Sequence, residues 1–195
     1  MGRNSAFFLL VLCVLVLACQ SHKEVSLEDV RQYMLEESNG LYKKIEIGKT
    51  KFEAFYKPTD LLVGQDMGET KNGQKAKQLY GDYAKQLYFV VNIGHDGKDM
   101  EWYTAHLKEQ SLASDLGPYF QLYADEGREI ALKGYIMPTL AGVSDKSTFL
   151  LAFDEAPKKS EKLTLHIDEM GFETGEVKFD FKVEDLARVP KINWK

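Results

Sequence analysis

Val177-Lys178-Phe179-Asp180-Phe181-Lys182-Val183 sets a large apolar side chain at every second position, with a charge between each pair. Only an extended chain gathers all four apolar groups on one face, because side chains alternate across a strand. A helix would spread them around its circumference. The same alternation runs through Phe149, Leu151 and Phe153. It recurs at Leu163, Leu165 and Ile167, where Thr164, His166 and Asp168 fall on the opposite face. One apolar face and one wet face is the pattern of antiparallel sheet.

Working towards the N-terminus, Tyr119 to Ala124 and Glu129 to Met137 are expected to pair as strands across the turn Asp125-Glu126-Gly127. Leu87 to Ile93 is a solid apolar run ahead of the turn residues His95-Asp96-Gly97-Lys98. Leu41 to Ile47 and Thr50 to Lys57 read as a hairpin about Gly48-Lys49, where glycine supplies the positive φ a tight turn needs. Pro58 ends the second of these, and Leu61 to Val63 reads as a third short strand. Helical spacing is confined to three places. Ser26-x-x-Asp29 resembles a capping box ahead of Leu27, Val30 and Met34, with Asn39-Gly40 as the stop. Glu69 to Gln86 repeats Ala76, Leu79, Tyr80 and Tyr83 at intervals of three and four. A weaker helix is expected from Ala105 to Leu116.

About eight one-sided strands are most simply buried as two facing sheets. The fold class expected is mainly β, a two-sheet immunoglobulin-like sandwich with one or two added helices. In strand pattern, the C-terminal half is similar to the immunoglobulin-like domains common in bacterial surface lipoproteins. No cysteine pair or core tryptophan accompanies that pattern.

The N-terminus differs in kind. Arg3 is the only charge in the first eighteen residues, and Ala6 to Leu17 is an unbroken apolar run of twelve. A spanning helix needs about 20 such residues, whereas a short apolar core behind a basic start is a secretory signal. It ends in Val16-Leu17-Ala18-Cys19, followed by Gln20-Ser21. This resembles the lipobox of bacterial lipoproteins, with Val16 and Ala18 in its pattern. The resemblance implies removal of residues 1–18, lipidation of Cys19, a tether over 19–25 and one domain over 26–195. It implies a membrane partner through the lipid, with stable anchoring requiring more than one acyl chain. No aspartate follows Cys19, and in such lipoproteins this implies the outer membrane. Ala6 stands where N-myristoylation wants Ser or Thr.

Composition narrows the function classes. The chain has two cysteines; one lies in the signal and the other is the lipidation site, so the mature domain is expected to hold neither thiol nor disulfide. The remaining 177 residues are enough to bury about 70% of their unfolded surface without such a staple. Loss of Arg3 takes the net charge from −5 to −6, and an acidic domain argues against a nucleic-acid partner.

Catalytic and metal motifs are weak. Gly48-Lys49-Thr50 is the tail of a phosphate loop, but Lys43 stands where the first glycine belongs. Asp96, Asp99 and Glu101 crowd a turn without the spacing of a calcium loop. His22, His95, His106 and His166 include no i, i+4 pair for zinc, and no G-x-S-x-G elbow occurs. Neither a cofactor nor a metal is expected. Of the aromatic residues, Trp102 and Tyr103 are the candidate ligand contacts. The leading reading is a non-enzymatic binding or assembly module that meets another envelope protein or a glycan. The alternative is an envelope hydrolase of the glycoside type using paired carboxylates, whose spacing in space a sequence does not reveal.

Overall fold

The computed structural model describes residues 24–68, 72–95, 115–137 and 146–194. Alternating segments become strands β1 (Tyr42–Ile47), β2 (Thr50–Tyr56), β3 (Gln86–His95), β4 (Phe120–Ala124) and β5 (Arg128–Ile130). They continue as β6 (Leu132–Ile136), β7 (Lys146–Asp154), β8 (Lys162–Ile167) and β9 (Val177–Lys182). The first sheet has the order β1-β2-β3-β7-β6 and the second β5-β4-β8-β9. Every neighbouring pair is antiparallel. Read as immunoglobulin strands, β2-β3-β7-β6 is the A-B-E-D sheet and β5-β4-β8-β9 the C′-C-F-G sheet. Strand β1 is an addition outside A.

Between the sheets lies one phenylalanine-rich core. Phe52, Phe89, Phe149 and Phe153 come from the first sheet, and Phe120, Phe179 and Phe181 from the second. The rings meet across the gap: Phe89 and Phe181 lie 5.1 Å apart, and Phe120 and Phe149 5.0 Å. In β9 the alternation is complete, with Val177, Phe179 and Phe181 buried and Lys178, Asp180 and Lys182 exposed. Val183 leaves the strand and opens a short helix.

The described residues form four short helices beside the sheets: α1 (Leu27–Leu35), α2 (Thr59–Met67), α3 (Gly73–Tyr83) and α4 (Val183–Ala187). Helix α1 starts at the expected capping box. The Ser26 N–H donates to Asp29 Oδ2 at 2.9 Å, and the Asp29 N–H donates to Ser26 Oγ at 3.1 Å. Helix α2 replaces the third strand expected at Leu61 to Val63. A short solid apolar run does not by itself distinguish a strand from a buried helix. Here Pro58 leads in, Asp60 sits in the first turn, and Leu61, Leu62, Val63 and Met67 are all buried.

A second correction falls on Glu129 to Met137. It is not one strand: β5 pairs with β4 in the second sheet, and β6 pairs with β7 in the first. The chain changes sheets at Ala131, whose carbonyl accepts from the Asp154 N–H at 3.0 Å. The helix expected from Ala105 to Leu116 lies outside the described residues except for Asp115 and Leu116, which lead into a 3-10 turn at Gly117–Tyr119.

Candidate functional site

The outer faces of the two sheets are built differently. On the second sheet, charged and polar residues cross-pair in the open. Thr164 Oγ1 donates to Asp180 at 2.7 Å, and Lys178 bridges to Glu176 at 2.8 Å. His166 Nδ1 donates to Glu176 at 2.7 Å while the Tyr123 ring stands 4.6 Å from the imidazole. The hollow beside them, about 280 Å³, is shallow.

The outer face of the first sheet has a polar row and an apolar row, both fixed by strand register. Lys44, Glu53, Asn92 and Thr148 are aligned partners across β1, β2, β3 and β7. Glu53 is their centre. It accepts from Lys146 Nζ at 2.9 Å, from Asn92 Nδ2 at 3.1 Å and from the Tyr42 hydroxyl at 3.0 Å. Burial pushes the Glu53 carboxyl up, but these donors and the Lys146 charge outweigh it and hold it below the usual carboxylate range. Burial and the same contact push the Tyr42 phenol up to about 12.

One pleat away, Tyr42, Phe55, Val90, Leu150 and Ile136 line up across the whole sheet. This row is the floor of a groove of about 560 Å³, formed by Phe55, Val90 and Leu150. Leu27, Met34 and Leu35 of α1 and Leu61 of α2 form its walls. The helices meet closely there because Gly64 lacks a side chain: a Cβ on it would come within 2.2 Å of Leu27 Cδ2. The C-terminal tail holds α2 from behind, where the Trp194 indole N–H donates to buried Asp60 at 2.8 Å.

The polar members of the lining are Arg31, Lys57, Gln65 and Thr148. Arg31 pairs with Glu28 one turn back. Lys57 closes β2 and donates to the neutral amide of Gln65 at 3.0 Å. It enters no ion pair among the described residues. Burial pulls its ammonium pKa down, opposed by the charge of Asp66, whose carboxylate is taken by the Tyr83 hydroxyl. An apolar concavity of this size with a few fixed polar groups is the usual form of a ligand site. Another hollow, about 730 Å³ and lined by Glu161, Lys162, Lys182 and Glu184 beside Val183 and Ala187, lies at the β8–β9 edge, with charges where the groove has apolar walls.

None of the residues expected from sequence to contact a ligand lines this groove among the described residues. Cys19, Trp102 and Tyr103 lie outside the described residues, as do His22, His106, Asp96, Asp99 and Glu101. His166 is on the outer face of β8, as expected. Among the described residues, the carboxylate with the most backbone donors, Glu169, is occupied in its own loop. It accepts from Gly171, Phe172, Glu173 and Gly175 N–H groups at 2.5–3.1 Å. Among the described residues, no group of three or more His, Cys, Asp or Glu side chains is placed to hold a metal, and no helix is long and apolar enough to cross a membrane.

Strand order and register define the class, a two-sheet sandwich of immunoglobulin-like order carrying a helical layer on one face. No protein-family model matches the chain, and no curated protein does. Among solved structures it is similar to a DUF4426 family protein from Pseudomonas aeruginosa PAO1. Identity is 11%, over 73% of this chain and 94% of that one, with a TM-score of 0.40.

Proposed function

We propose that this chain is a membrane-anchored envelope lipoprotein that acts as a non-enzymatic binding or assembly module, with the groove under α1 and α2 as its binding site. The observation that carries this reading is the composition of that groove: apolar walls and floor, and polar groups limited to two cations, an amide and a hydroxyl. A glycoside hydrolase needs two carboxylates facing each other across its cleft. This lining suits retention of an apolar group instead. It also favours an apolar partner over a glycan.

The lipobox-like Val16-Leu17-Ala18-Cys19 supports the anchor, and the residues after Cys19 support an outer-membrane address. Helix α1 begins at Leu27, eight residues beyond Cys19. Fully extended, those residues span about 28 Å at most, so an anchor at Cys19 keeps the groove close to the bilayer surface. Two variants test the two halves separately. Cys19→Ala should move the protein out of the detergent-extractable membrane pool; an unchanged pool removes the anchor from the reading. Leu150→Glu places a charge in the groove floor and should abolish recovery of envelope ligands with the protein still folded and anchored. Undiminished recovery removes the groove.

A further inference from the structure

We propose that the groove takes the acyl chain of a long-chain fatty acid, with the carboxylate received at Lys57. The inference rests on the groove being the binding site, and it does not depend on the lipid anchor. Its first support is charge. The chain carries a net charge of −5, yet both ionisable residues in the groove lining are cations. Of the two, Arg31 already has Glu28. Among the described residues Lys57 has the amide oxygen of Gln65 and no ion pair, and burial pulls its ammonium pKa down against the charge of Asp66. A half-buried ammonium whose direct partner is a neutral amide is costly, and a ligand carboxylate would lower that cost through a charge-assisted hydrogen bond.

The second support is the kind of surface on offer. The floor is the face of a sheet, not its edge. The backbone groups of β2, β3 and β7 are committed to their neighbours. An extended peptide laid across Phe55, Val90 and Leu150 would press its own N–H and C=O groups against apolar walls without partners, which is unfavourable. An acyl chain brings no polar groups along its length, and each methylene it buries adds to binding. Its single charge suits the one lining cation that forms no ion pair among the described residues.

The test uses the purified full chain and a hexadecanoic acid bearing a diazirine, with the matching alcohol as control. Illumination should give adducts on peptides containing Leu27–Leu35, Phe55–Gln65 or Leu150, competed by unlabelled acid. Lys57→Gln should lower labelling by about tenfold, the worth of one charge-assisted hydrogen bond, and Lys57→Arg should retain it. Far-UV circular dichroism and an unchanged urea midpoint report that each variant is folded. Equal labelling by the alcohol, adducts confined elsewhere, or full labelling of folded Lys57→Gln overturns the inference. If the acid fails to label but a protein partner crosslinks at Leu35, the fatty acid is wrong and the binding-module reading stands. If neither attaches, both fall.

Discussion

The two outer faces of the sandwich arise from the same alternation and end in opposite states. On the second sheet, the outward residues of β9 are Lys178, Asp180 and Lys182, all exposed. On the first, the outward residues of β7 from Lys146 to Asp154 are all part-covered, and β3 buries Tyr88, Phe89, Val90 and Val91 in succession. A strand buried on consecutive positions has protein on both sides. The difference shows where the chain spent its helices. α1, α2 and α3 cover the first sheet incompletely, leaving a groove, while the other face needs no cover.

The largest effect expected is in the core that both sheets share. Phe179 is 2% exposed, and Phe179→Ala should cost about 3–5 kcal/mol in a urea titration through lost burial and the cavity left behind. Truncation in this core does not distinguish the faces; the helical layer does. Trp194→Phe removes the hydrogen bond to Asp60, which is 3% exposed, and should cost about 1–3 kcal/mol for a buried carboxylate deprived of a donor. Amide exchange should quicken first in α2 and α3 and last in β8 and β9. Uniform quickening would mean the layer is not a separable element.

Glu53 sharpens the comparison by pH. Its folded pKa is depressed, so its contribution is present above the unfolded value of about 4.3 and is lost as pH falls through the lower folded value. Glu53→Gln should cost about 1 kcal/mol at neutral pH, a figure discounted for partial exposure. It should also flatten the acid limb of stability against pH; an unchanged limb would show that the network holds no charge-dependent stability. The smallest effect belongs to the bare face, where Lys178→Ala should stay within about 0.5 kcal/mol. A larger loss would mean that face is also covered.

Alternation made the sandwich legible. Phe179 and Phe181, Leu163 and Leu165, and Phe149 and Phe153 all point where period two sends them. The groove left a fainter trace. In each floor strand the alternation breaks into an apolar pair, Phe55-Tyr56, Val90-Val91 and Leu150-Leu151, and one member must face outward. Only strand register aligns those outward members in a single row, and register is a property of pairing in space. α2 stands where a strand is expected because three successive apolar residues suit a buried helix as well as a strand. The sheet change at Ala131 left no mark, since both halves of that segment are extended. Lys57 gives no signal in the sequence, because a lysine at a strand end is ordinary until its neighbours in space are known.

A paired photocrosslinking measurement in living cells tests most directly whether the groove face is the binding face. A photoreactive amino acid replaces Leu35, which stands 49% exposed at the groove rim, or Lys182 on the opposite sheet. The account predicts adducts, lipid or protein, from position 35 and none above background from position 182. It also predicts that Leu150→Glu abolishes those at 35. Equal adduct yield from both positions, or adducts at 35 that survive Leu150→Glu in a folded protein, would contradict it.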